Sequence, residues 1–114
     1  MDVSCVIVEL KPDSIGRVKE WAKFILDNRE EALSTLENEG VTIESFFLLT
    51  IESKDYLVGY MRAKSMEYAH EVVKHSLSQV DAYHQQFKKD TWIGGIRAEL
   101  MFDLSRLKNE SNFA

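Results

Sequence analysis

The sequence predicts one α+β domain whose elements run strand, helix, strand, strand, helix, strand. Three observations lead there. Short stretches rich in β-branched and aromatic residues alternate with two long stretches in which apolar residues recur every three or four positions. The second and third strand stretches are separated only by the polar Glu52-Ser53-Lys54-Asp55, the spacing of a hairpin. Finally, 114 residues, 45% of them hydrophobic, suffice for one packed core and leave no room for a second.

Val3–Leu10 is the first strand. Lys11-Pro12-Asp13 ends it, because proline cannot continue a ladder, and Asp13 is placed to cap the following helix by accepting backbone N–H bonds. Ile15, Val18, Ala22, Ile25, Arg29, Ala32 or Leu33, and Leu36 form that helix's stripe, and Gly40 supplies the left-handed residue that closes it. Unbroken, the helix would be about 38 Å long and would overhang a typical strand. Val41–Ile51 and Tyr56–Ala63 form the hairpin. Ser65 caps a second helix with the stripe Met66, Ala69, Val73, Leu77, Val80, His84 and Phe87, continuing to about Thr91. Ser76 and Gln79 have capping-box spacing, so a break is expected there. Gly94-Gly95 reads as a turn and Ala98–Leu104 as the last strand. The domain then spans 1–104, and the polar tail 105–114 is expected to fray.

The usual solution of this order is the ferredoxin-like βαββαβ fold, a four-stranded antiparallel sheet with the helices on one face. Right-handed crossovers put the first and third strands in its middle. Strand alternation, however, places apolar side chains on both faces. Ile43, Phe47, Leu49 and Ile51 oppose Phe46 and Leu48, and Leu57, Met61 and Ala63 oppose Tyr56, Val58 and Tyr60. No connecting loop is long enough to cover the second face. A homodimer packed through the sheet faces is therefore expected, burying about 800 Å² per subunit or more, with a cleft between or beside the sheets.

Arg29-Glu-Glu-Ala-Leu33, Glu39-Gly-Val-Thr-Ile-Glu-Ser45, Tyr60-Met-Arg-Ala63 and Asp81-Ala-Tyr-His84 together resemble a family of small uncharacterised bacterial proteins in the dimeric α+β barrel superfamily, over roughly residues 3 to 104. The superfamily includes cofactor-independent monooxygenases, sugar mutarotases, dehydratases, haem-degrading enzymes and ligand sensors. The resemblance thus implies a dimer and a cleft but no particular reaction, and it assigns no catalytic role to any residue.

Among the residues themselves, Asp81 and His84 form the strongest constellation. At i and i+3 on a helix, the carboxylate can orient the imidazole as a general base toward a ligand. The structural alternative is that Asp81 favours the first helical turn and His84 is a hydrogen-bonded core residue. Tyr60 and Arg62 share the face opposite the helix-packed one, where a phenol and a planar guanidinium suit an anionic or phenolic ligand, or a dimer interface. Tyr83, inside the Asp81–His84 segment, joins the ligand-binding candidates. So does Arg29, whose stripe position calls for a carboxylate such as Glu31 or Glu44, or a bound anion.

No cofactor and no metal are expected. His70 and His75 lie on different sides of a helix, haem has no second signature beside His84, and phosphate loops, HExxH and serine elbows are absent. A net charge of −5 argues against nucleic acid and anionic membranes. The lone Cys5 suits a reducing cytoplasm, and no stretch resembles a membrane span or leader. The expected function is a homodimer that binds a small organic molecule beside the sheet. The alternatives are a cofactor-independent isomerase- or monooxygenase-like enzyme with His84 as base, and a non-catalytic regulatory or interaction protein.

Overall fold

The computed structural model describes residues 1–107. Its elements are β1 (Asp2–Leu10), α1 (Ile15–Asp27), α2 (Arg29–Glu39), β2 (Val41–Ile51), β3 (Lys54–Ala63), α3 (Met66–Lys74), α4 (Gln79–Thr91) and β4 (Trp92–Arg97). The strands form one antiparallel sheet in the order β2-β3-β1-β4, with β1 and β3 central as the crossover rule requires. The fold is ferredoxin-like. No helix among the described residues is long and apolar enough to cross a membrane.

Each expected helix is a pair. The first breaks at Asn28, whose backbone N–H bonds to the carbonyls of Phe24 and Ile25 while its side-chain amide donates to the Phe24 oxygen at 2.8 Å. Such local side-chain bonding competes with helix continuation, and hydrophobic spacing alone does not register it. The second breaks where expected, after Lys74, but the cap differs. Ser78 Oγ accepts from the amides of Val80 and Asp81 at 3.1 and 3.5 Å, whereas Ser76 Oγ accepts from Ser78 N, outside the helix. The expected Ser65 cap forms, accepting from Tyr68 N at 3.1 Å. Asp13 does not cap α1. It takes a left-handed φ of 62° in the preceding turn, and Ser14 holds the cap position without a side-chain bond. Gly40 closes α2 at φ 72°.

The hairpin is tighter than expected. Glu52 and Ser53 both have positive φ, the pattern of a two-residue primed turn, so β3 begins at Lys54. The last strand is also displaced. Gly94-Gly95 is not a turn but the middle of β4, which leaves α4 directly and pairs Trp92 with Leu10 and Gly95 with Val8. A Cβ on Gly95 would approach Val6 Cγ1 and Val8 Cγ2 at 3.2 and 3.3 Å, so glycine here serves close packing rather than a reversal. Residues 98–107 carry no regular secondary structure. Residues 105–107 belong to the expected tail, and 108–114 lie outside the described residues.

The core sits between sheet and helices. Val8, Leu10, Val18, Trp21, Leu57 and Phe87 form one buried cluster and Val41, Ala63, Met66 and Ala69 another. On the opposite face the register aligns Cys5, Ile7, Phe47, Val58 and Ile96, with Phe47 60% and Ile96 74% exposed. The chain's own segment beyond β4 covers one end of that face. Asp103 receives both guanidinium nitrogens of Arg62 at 2.8 and 2.6 Å, leaving Arg62 only 5% exposed.

Candidate functional site

Between helices and sheet lies a half-open cavity of about 960 Å³ bordered by both core clusters. Its polar wall follows from two periodicities. In α4, Val80 and Phe87 anchor the buried stripe, and Asp81, His84 and Lys88, spaced by three and four, face the cavity beside them. In β2, the irregularity between Val41 and Ile43 shifts the alternation. Beyond it Glu44 shares the inward face with Phe46 and Leu48 by plain alternation, opposite Met61, Gly59 and Leu57, and the shift lets Val41 face inward as well. Glu39 enters from the last turn of α2, beside the Gly40 closure.

His84 is surrounded by rings. Its centroid lies 5.6 Å from Trp21, 6.0 Å from Phe46 and 6.5 Å from Trp92, and Trp21 stacks in turn on Phe87 at 4.4 Å. The indole N–H groups of Trp21 and Trp92 are buried with no acceptor among the described residues. Burial, then the charge of Lys88, pushes the His84 imidazole down to about 4, so the ring is neutral near pH 7. Burial, then Asp81 and Glu44, pushes the Glu39 carboxyl up to about 7. Glu44 is also raised, by burial and then Asp81, against the opposing pull of Lys88. Glu44 borders the cavity as an exposed residue. Lys88 is lowered by burial, which Glu44 partly offsets. The neutral ring can accept a proton and a protonated Glu39 can donate one.

The residues singled out in the sequence divide between sites. Asp81 and His84 both face the cavity, yet no hydrogen bond joins them among the described residues. Arg29 is exposed at the cavity border, because the break at Asn28 takes it off the α1 stripe. Its expected partner Glu31 instead accepts from Ser78 Oγ and Gln79 N at 3.0 and 3.2 Å, tying α2 to the start of α4. Tyr60 pairs with Cys5 and Ser45 on the outer side, and its strand also borders the cavity. Arg62 is bound to Asp103 on the outer face. Tyr83 lies between α1 and α4, stacked on Phe24 at 3.9 Å, with its hydroxyl accepting from Arg17 at 2.8 Å. Glu39, Glu44 and Lys88 were not singled out as site residues. A signal existed for Glu44, which strand alternation groups with Phe46 and Leu48, and for Lys88, one turn beyond His84.

Comparison with known proteins locates the chain. It belongs to a family of unknown function, DUF6176, whose model matches residues 1–109. No curated protein matches it. Among solved structures it is similar to L-rhamnose mutarotase from Formosa agariphila, with a TM-score of 0.61 and 13% identity over 92% of this chain and 100% of that one. A candidate antibiotic biosynthesis monooxygenase from Nitrosomonas europaea gives 0.54 and 14% over 90% and 100%. A de novo designed protein with a ferredoxin fold gives 0.51 and 16% over 95% of each chain. Its natural neighbours are thus of the dimeric α+β barrel type, and at these identities the likeness concerns the fold alone. A designed neighbour makes the same point: this backbone can be specified with no natural function attached.

Proposed function

We propose that this DUF6176 protein binds a small organic molecule in the cavity between its helices and sheet, as a cytoplasmic homodimer joined through the outer sheet faces. The cavity carries this reading. Its volume, about 960 Å³, lies in the range of small-molecule sites, and its walls combine apolar and aromatic side chains with a few convergent titratable groups. Support for the dimer comes from Ile7, Phe47, Leu49, Ile51 and Ile96, all exposed on one face. Thermal-shift screening of a metabolite library tests binding. A ligand at a hundred times its Kd should stabilise the fold by about 2.7 kcal/mol, which is several degrees for a domain this size. Absence of any stabilising compound, with a crystal structure showing side chains filling the space, would overturn the reading.

A second reading has the neutral His84 acting as general base beside Asp81 in a cofactor-independent isomerase- or monooxygenase-like reaction. Its support is the imidazole itself, unprotonated near pH 7 and facing the space where a ligand would sit. His84→Gln should then abolish turnover of the identified ligand while the unfolding midpoint holds. If it chiefly lowers stability, His84 is structural.

A further inference from the structure

We propose that the occupant of the cavity is an organic ammonium ion, held by Glu39, Glu44 and Asp81 against the aromatic wall formed by Phe46 and His84. This rests on the small-molecule reading above and adds the sign of the ligand's charge.

Three elements, α2, β2 and α4, each bring one carboxyl group to the same cavity. Among the described residues the one cationic side chain of the lining that is not exposed is Lys88, which is half-buried and lies over the Trp92 ring at 4.7 Å. His84 contributes no charge near pH 7. Lys19, Arg29, His70 and Lys74 also border the cavity, but all four are exposed at its mouth, and Lys74 pairs with Glu71 at 3.6 Å. Water and salt screen charges so placed. Glu44 is exposed at the border as well, so among the groups that are not exposed Glu39 and Asp81 face Lys88 alone, an excess of one negative charge once Glu39 is ionised.

Glu39 is the buried member of this group. It is only 7% exposed and borders the cavity, and no hydrogen bond or ion pair reaches its carboxyl group among the described residues. A buried carboxyl without a partner is costly, and native structures ordinarily satisfy one. Burial first, and the neighbouring Asp81 carboxylate second, displace both Glu39 and Glu44 upward.

A metal ion is the wrong size for this arrangement. No three His, Cys, Asp or Glu side chains among the described residues come close enough to hold one. The cavity they border, about 960 Å³, has room for an ammonium group on a carbon skeleton. Phe46 and the flanking Trp21, with centroids 5.0 Å apart, supply the apolar and cation-attracting surface for that skeleton.

Three probes of one shape isolate the charge: benzylamine, benzyl alcohol and benzoate, titrated calorimetrically into the full chain. At about pH 8 benzylamine should bind about tenfold tighter than benzyl alcohol, and benzoate weakest. Glu39→Gln and Glu44→Gln should each cut the preference for benzylamine by about fivefold while benzyl alcohol changes less than about twofold, which controls for folding. At about pH 5.5, with Glu39 protonated, the preference should shrink and benzylamine binding should release protons to the buffer. Equal binding of benzylamine and benzyl alcohol, tightest binding of benzoate, or an unchanged preference in both variants would overturn the inference and leave the cavity reading standing. Binding of none of the three also overturns it, and the metabolite screen then decides separately whether the cavity binds anything.

Discussion

His84 and Glu39 face the same space with opposite displacements, and the two should leave opposite marks on stability. For His84 the folded value, about 4, lies below the ordinary 6.5, so the folded state binds fewer protons than the unfolded. Its contribution is present above 6.5 and is lost as pH falls toward 4, on the order of 3 kcal/mol. For Glu39 the folded value, about 7, lies above 4.5, so its contribution is present below 4.5 and is lost as pH rises through 7. Between 4.5 and 6.5 the slopes oppose each other and stability should be nearly flat. Urea unfolding across pH should show His84→Gln losing stability as pH rises through this window and Glu39→Gln losing it as pH falls. Identical profiles in the two variants would refute the assignment. On the other face, Asp103→Ala leaves Arg62 without its bidentate partner there and should cost about 1–3 kcal/mol, read from the unfolding midpoint.

Among the elements, α4 offers the sharpest test. Ser78→Ala removes a cap to two amides and the contact to Glu31, and should lower stability by about 1 kcal/mol, whereas Ser76→Ala should cost well under that. Gly59 tests the sheet, since a Cβ there would meet the Phe46 ring at 2.8 Å. Gly59→Ala should cost about 1–3 kcal/mol and disturb the cavity wall by displacing that ring. These elements also show what the sequence could disclose. Element order, the central strands, the Ser65 cap and the break after Lys74 were legible because periodicity and capping chemistry are local signals. The break at Asn28 was not, because the apolar stripe runs through it and only the side-chain bond to Phe24 interrupts the helix. Nor was β4. Gly94-Gly95 resembles a turn by composition, while Ala98–Leu104 has the alternation of a strand, and only pairing with β1 decides between them. The site was half legible: Asp81 and His84 stand out on their helix, whereas Glu39 and Glu44 become neighbours of them only through the packing of three elements.

The described residues give one sheet two unlike faces, a helix-covered side with a cavity and an apolar side that the segment beyond β4 covers at one end only. Sedimentation at micromolar concentration should show a dimer, and Phe47→Asp, which puts a charge in the middle of the apolar side, should shift it to monomer without unfolding it. A monomeric wild type would remove the dimer from the proposal and leave the cavity untouched. The pleat of β2 makes these two questions separable along a single stretch of chain. Even-numbered positions 44, 46 and 48 point toward the cavity, and odd-numbered 45, 47 and 49 point toward the outer sheet face proposed to join two subunits. A scan of six consecutive residues should therefore give a sawtooth in each readout, ligand affinity dipping at one parity and self-association at the other.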